Sequence, residues 1–305
     1  MKKNLKKHEN YIKSNKIEFH KKLFFTQKML YAIDNLVEAE VIKRPSKNIK
    51  TPYVADVIYG ETEYLAHTPA LGCCGLADVG ATVLVAPSKN KKSKCDYTVY
   101  LSKFKDNIHP NKHVLVGIHP KLAEYLVESA LKQNLLSKLP NVRSYRRETV
   151  IKVENTIDSR FDFSGIDENG CPFLLEIKNV PLADYEDIYA KDRKNKDYSQ
   201  RKFDSKVAYF PDGYRKKAKE PISPRALKHI EELGKIKQMS KTRCLLGFVI
   251  QRTDVEYFQT SIIDPIYKEA VKNSHILGVE IFAMVVKWDN NGCAYFVCDN
   301  LPVCI

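Results

Sequence analysis

The sequence predicts an α+β/α/β protein in which a small β-rich domain, a barrel or a sandwich, precedes an α/β domain. Three observations carry this. The 305 residues accommodate two domains more readily than one. Short β-like runs alternate with turn residues from Leu36 to about Ser102. After Gly117, helix-like and strand-like segments alternate instead, the pattern of helices layered on a sheet.

Residues 1–27 form a basic arm, with Lys2, Lys3, Lys6 and Lys7 at its start and little apolar periodicity. It reads either as a nucleic-acid contact or as a solvated tail. LVEAEVI, YVADVIY, TEYLAH, ATVLVAP and DYTVYLS are the β-like runs of residues 28–102. Tyr53, Tyr59 and Tyr64 are the aromatics here on which bases could stack, core packing being the plainer role for any one of them. KNKKSK, residues 89–94, places Lys89, Lys91, Lys92 and Lys94 in a loop. Such a loop meets phosphate, forms a solvated hairpin tip, or acts as a weak nuclear-targeting patch.

The α/β domain is assigned residues 103–305. HPKLAEYLVESALKQNLL reads as a helix with Pro120 in its first turn, Leu122, Leu126 and Ala130 facing a core, and Glu124 and Glu128 on its other side. RFDFSGIDENGCPFLLEIKN reads as a hairpin turning at Asp167-Glu168-Asn169-Gly170. Residues 184–206, rich in both charges, read as an exposed insertion. SPRALKHIEELGKIKQM follows, with Ser223 as N-cap, Pro224 at the first helical position, and Leu227, Ile230, Leu233 and Ile236 along one side. The strand RCLLGFVIQR, a helix from Asp264-Pro265 and the strand GVEIFAMVVKW complete the alternation.

The hairpin holds the chemistry. Alternation points Phe161 and Phe163 one way and Asp162 the other, and sets Leu174, Glu176 and Lys178 opposite Phe173, Leu175 and Ile177. A suitable register gathers Asp162, Glu176 and Lys178 on one face. Converging carboxylates repel and resist desolvation, so the arrangement asks for a cation, and hard oxygens suit Mg²⁺ or Mn²⁺ with a phosphate substrate. Lys178 then stabilises phosphoryl charge or positions the attacking water. The plainer reading is a hairpin whose polar face is solvated.

A formal charge of +13 points to a polyanionic partner. Nucleic acid fits better than membrane, because no apolar span of about 18 residues occurs. The basic start lacks the apolar stretch of a signal peptide, which points to an intracellular protein, cytoplasmic, with a nuclear location open for a eukaryotic source. The eight cysteines form no framework and read as reduced thiols, zinc being the alternative. The Gly cluster LGCCGLADVG lacks the lysine of a P-loop, and no serine-hydrolase elbow is present.

From about residue 28 to residue 290 the order of motifs resembles the sugar fermentation stimulation protein (SfsA) family. The pieces are YVADVIY, LAHTPALG, LVESAL, SRFDF with LLEIKNV, YFPD, RALKHIEEL, LLGFVIQR and GVEIFA. The resemblance implies an OB-like β domain joined to a domain of the PD-(D/E)xK nuclease fold, and DNA as partner. It matches Asp162 to the motif's acidic residue, Glu176 and Lys178 to the (D/E)xK pair, and Glu128 to a glutamate on the preceding helix. Implied roles follow: Asp162, Glu176 and the Ile177 carbonyl hold Mg²⁺ or Mn²⁺, Glu128 is an outer or second ligand, and Lys178 assists the attacking water. Gln251 and Arg252 match a polar pair that reaches phosphate or caps the sheet edge, and Arg160 joins the lysine loop on the nucleic-acid-binding surface. Two stretches depart from the family: Thr68-Pro69-Ala70-Leu71-Gly72 replaces a Cys-Pro-Asn-Thr-Gly-like run, and Gly117-Ile118-His119-Pro120 lacks an Asn-Thr pair. Two functions follow, a metal-dependent DNA nuclease and a non-catalytic DNA-binding regulator. Strand preference and oligomeric state, a homodimer included, stay open.

Overall fold

The computed structural model describes residues 28–69, 75–90, 92–211 and 220–305. The basic arm and Lys91 lie outside the described residues. Among those described, no helix is long and apolar enough to cross a membrane, and Cys95, Cys171, Cys244, Cys293, Cys298 and Cys304 are free thiols.

The chain enters through β1 (Met29–Ala32) and then builds a six-stranded sheet from β2 (Val37–Lys43), β3 (Val54–Tyr59), β4 (Thr62–His67), β5 (Thr82–Pro87), β6 (Tyr97–Lys105) and β7 (His113–Gly117). The order is β4-β3-β2-β5-β6-β7, and a parallel pairing of Ala66 with Tyr97 and His67 with Thr98 brings β4 back onto β6. β-Branched residues fit a pleated surface, and Val41, Val57, Val83, Val85, Val99 and Val116 share one core on one side of the sheet. The opposite side is not solvated. Leu84, Ala86, Leu101 and Leu115 join one core with Leu126, Phe163, Leu175 and Met284 of the following layer.

That layer opens with α1 (Leu122–Lys132), whose Leu122, Leu126 and Ala130 are buried as the periodicity predicts. Pro120 stands just before the helix, not in its first turn. Next come β8 (Ser144–Val153), β9 (Ile157–Ile166), β10 (Pro172–Val180), β11 (Ala183–Asp184), α2 (Ala190–Arg193), β12 (Lys206–Phe210), α3 (Pro224–Met239), β13 (Arg243–Ile250), β14 (Val255–Thr260), α4 (Pro265–Ile276), β15 (Glu280–Trp288), β16 (Cys293–Cys298) and β17 (Val303–Cys304). The main sheet runs β1-β16-β15-β13-β10-β9-β8, and β11-β12-β14-β17 form a smaller one. β10, β13 and β15 are parallel neighbours, as helical crossovers require. The predicted helix starts hold: Ser223 Oγ accepts from Ala226 N, and the Asp264 carboxylate accepts from Tyr267 N.

Two boundaries differ from expectation. The first sheet continues past residue 102 to Gly117, and β1 belongs to the other sheet despite lying within 28–102. The stretch 184–206 is not simply exposed. Asp187 is buried and accepts hydrogen bonds from Gln259, Ser261 and the Ile262 N–H, while Tyr185 donates to Asp106. Charge-rich composition hid these anchors, because Tyr185 and Asp187 find their partners far away in sequence.

Lys206, at the end of that stretch, is buried with its Nζ 2.6 Å from Asp106 and 3.1 Å from Asp254. Arg252 is equally buried, pairs with Asp254 at 2.6 and 2.7 Å, and lies over the Phe104 ring at 4.6 Å. Phe104 lies at the end of β6 and Asp106 just beyond it, so this buried ion network ties the first sheet to the second layer. Gln251 is also buried. The expectation that Gln251 and Arg252 reach nucleic acid is therefore corrected: β13 ends inside the protein, and both polar groups are consumed there.

Candidate active site

β9 and β10 pair from Ile166–Pro172 to Phe163–Leu175 and then part. Asp162 fills the fork, its Oδ2 accepting from the Ile177 N–H at 2.7 Å. On β8, Glu148 lies between the paired positions Arg147–Phe163 and Thr149–Phe161 and has φ of 52°. The distortion corrects the simple alternation: Phe161 packs in the core beneath α3, its ring 5.8 Å from that of His229, whereas Phe163 packs in the opposite core near α1. Twisting at the fork thus brings Asp162 toward β10 without pairing.

Glu176 points beneath α3 and is 2% exposed. Its Oε1 accepts from His229 Nδ1 at 2.5 Å and from Lys178 Nζ. Its Oε2 is buried without a partner among the described residues. Burial works against the ionised form of Glu176, but Lys178 and His229 outweigh it and hold the carboxyl below its usual range. Asp162 goes the other way: burial first, then the charge of Glu176, pushes it up to about 7 against the opposing pull of Lys178. Two neighbouring carboxylates have thus been driven apart in acidity.

These groups open onto a cavity of about 410 Å³. Ile177, Lys178 and Asn179 continue its floor, Glu124 of α1 and the α3 start at Ser223 and Arg225 flank it, and Tyr53 and Pro69 reach it from the first sheet. Of the three tyrosines singled out in the sequence, Tyr53 lines this cavity; Tyr64 packs edge-on against Tyr97, and Tyr59 is exposed elsewhere.

Glu128 is corrected. It lies one turn beyond Glu124, away from the cavity, and is engaged by Tyr145, Arg147 and Lys132. One turn advances a helix by about 5.4 Å, enough to take a short carboxylate out of reach. Arg147 joins the two, donating to Glu124 at 2.7 Å and to Glu128 at 2.8 Å. Arg160 is exposed, pairs with Glu148 at 3.1 Å and does not line the cavity. Lys89, Lys92 and Lys94 are located between β5 and β6, outside the cavity.

Among the described residues no cluster of three or more His, Cys, Asp or Glu side chains is arranged to hold a metal. The donor set is narrower: Asp162, Glu176 with its unpartnered oxygen, and the backbone at Ile177. These are hard oxygen donors, and a divalent cation that keeps several waters fits them.

The Sugar fermentation stimulation protein RE domain model matches residues 194–292. A Sugar fermentation stimulation protein homolog of Alteromonas mediterranea is 30% identical over 256 residues, spanning 82% of this chain and 90% of that one. The chain belongs to the sugar fermentation stimulation protein family. The homolog of Clostridium tetani is 29% identical over 252 residues, 82% of this chain and 89% of its own. The structure of Pyrococcus furiosus SfsA in complex with Ca²⁺ superposes with a TM-score of 0.66 at 21% identity, covering 91% of this chain and all of that one. The two proteins therefore share a fold. The matched RE segment begins after Lys178, so it includes His229 but neither carboxylate of the fork.

His229, Glu124 and Asn179 were not singled out from the sequence. A signal existed for His229, three residues after Ala226 and one before Ile230 on the buried side of a helix, where a polar residue needs a partner. Nothing in the spacing separates Glu124 from Glu128.

Proposed function

We propose that this SfsA-family chain is a Mg²⁺- or Mn²⁺-dependent DNA nuclease, with an OB-like unit from β2 to β6 and a PD-(D/E)xK-like α/β unit. The carrying observation is the buried Oε2 of Glu176, without a partner among the described residues, together with the Asp162 carboxyl at the fork. A buried unpaired carboxylate oxygen is costly, and a cation offsets that cost. The pairing of β4 back onto β6 supports the OB-like reading, and the fork with Asp162, Glu176 and Lys178 supports the nuclease one. The complex of the Pyrococcus furiosus relative with Ca²⁺, another hard cation, agrees with it.

Asp162, Glu176 and the Ile177 carbonyl hold the cation, and Glu124 takes the outer position that the family resemblance gives to Glu128. When bound, the cation supplies Lewis-acid stabilisation of phosphodiester charge. His229 fixes the rotamer of Glu176. Lys178 neutralises charge on the phosphate and orients the attacking water. The N-termini of α1 and α3 face the cavity and favour an anion there, and Arg225 adds a positive charge. Net positive charge brings DNA to this surface.

The test is incubation of plasmid and linear DNA with wild type, Asp162→Asn and Lys178→Ala in Mg²⁺, Mn²⁺ or EDTA. Metal-dependent cleavage by wild type alone is the expected result. DNA binding without cleavage on any substrate makes the protein a non-catalytic DNA-binding regulator instead.

A further inference from the structure

A hydrogen-bond relay runs from the core to the cavity floor. Trp288, 4% exposed at the end of β15, donates its Nε1–H to Gln251 Oε1 at 2.9 Å. Gln251 in turn donates its Nε2–H to Asn179 Oδ1 at 2.7 Å. An indole nitrogen donates and never accepts, so it fixes the oxygen end of the Gln251 amide. The nitrogen end then faces Asn179, and a nitrogen that only donates requires the oxygen end of that amide. Both amide orientations follow from the indole, not from a choice between equivalent atoms.

Asn179 Nδ2 is left without a partner among the described residues, on a side chain that lines the cavity with Asp162, Glu176 and Lys178. The relay is anchored from behind. Gly117 N donates to the Gln251 carbonyl at 3.3 Å, and a Cβ at Gly117 would stand 2.2 Å from Gln251 Oε1. A side chain at Gly117 would therefore displace the very oxygen that Trp288 holds.

We propose that Asn179 contacts the substrate, its Nδ2–H₂ donating to a phosphodiester oxygen at the carboxylate fork, and that Gln251 and Trp288 are positioning residues that set which end of its amide faces that oxygen. The inference rests on the phosphodiester reading of the cavity. A neutral amide adds a donor beside Lys178 without adding charge. Turned the other way, the same amide would present its oxygen to an anion and repel it. The polar pair at the end of β13 thus divides its work, Arg252 joining the sheets and Gln251 aiming Asn179.

The test uses the full chain, a fluorescein-labelled single-stranded DNA 12-mer, and Ca²⁺, which holds phosphate without turnover, alongside cleavage in Mg²⁺. Asn179→Ala is expected to weaken Ca²⁺-supported affinity about tenfold and to slow cleavage at least as much, the loss expected for one hydrogen bond to a charged group. Asn179→Asp, which accepts only, should lose more than the alanine variant. Trp288→Phe keeps an aromatic filling but frees the Gln251 amide, so cleavage should fall while the double variant with Asn179→Ala is no worse than Asn179→Ala alone. A merely structural Trp288 would give additive losses. Wild-type affinity and rate in both Asn179 variants would overturn the proposal with the nuclease reading intact. Binding without cleavage by wild type would sink the nuclease reading, and the Ca²⁺ affinities would still decide Asn179. Neither binding nor cleavage by wild type removes both.

Discussion

His229 and Glu176 are joined by a hydrogen bond from the imidazole Nδ1 to the carboxylate Oε1, 2.5 Å long and buried between α3 and β10. It loads one oxygen of Glu176 and, with Lys178, leaves the other without a partner among the described residues. His229→Ala should therefore destabilise the protein by about 1–3 kcal/mol, the cost of stripping a donor from a buried carboxylate. His229→Asn, whose amide nitrogen stands near the Nδ1 position, should recover most of it. Urea denaturation of the three proteins decides; equal stabilities would show that the hydrogen bond contributes nothing.

Asp162 gives the pH prediction. Its carboxyl titrates near 3.8 when unfolded and about 7 when folded. Below 3.8 it is protonated in both states. Between 3.8 and 7 the folded state holds a proton that the unfolded state releases, so metal-free stability falls as pH rises through that window, by up to about 1.4 kcal/mol per pH unit. Asp162→Asn removes the slope and should be the more stable protein at pH 7.5 in EDTA. Parallel pH–stability curves for the two proteins would contradict this assignment.

Glu124 and Glu128 should part company in activity. Glu124→Gln changes the charge at the cavity and is expected to lower metal-dependent cleavage by about tenfold or more, while Glu128→Gln changes it by less than about twofold. Rates across a Mg²⁺ titration make the comparison. A larger loss at Glu128 would return the outer ligand to that position.

Binding and folding charges separate in the same way. Replacing Lys89, Lys92 and Lys94 by Ala should make DNA affinity less dependent on salt, the logarithmic slope falling by up to about 0.9 for each phosphate that is no longer neutralised. Arg252→Met should leave that dependence alone but cost about 3–5 kcal/mol, because Asp254 is left buried with Lys206 as its remaining cation. Anisotropy at several salt concentrations, with thermal melting alongside, reads both. An altered salt slope for Arg252→Met would put that side chain on the surface.

The hairpin of Asp162 and Glu176 was legible because turn chemistry and alternation are local. So were α1 and α3, announced by periodicity, and the starts of α3 and α4, announced by Ser223-Pro224 and Asp264-Pro265. Local pattern could not show that β9 twists at Asp162, since the cause is the parting of two strands. It could not choose between Glu124 and Glu128, which share a helix face. Nor could it show that Gln251 and Arg252, which the resemblance matched to a pair reaching phosphate or capping the sheet edge, are buried, because they meet Asn179, Trp288 and Phe104. Partners distant in sequence decided each of these.

β1 pairs with β16, Met29 opposite Tyr295 and Ala32 opposite Cys293. The earliest described strand thus waits for the last but one of the described strands. On the ribosome, residues 29–32 emerge while their partner is still unmade, and the closing contact must span most of the described residues. Long-range pairing of this kind is slow. The main sheet is accordingly completed only once β16 has been made, and until then its outermost position stands open to a strand from another nascent copy.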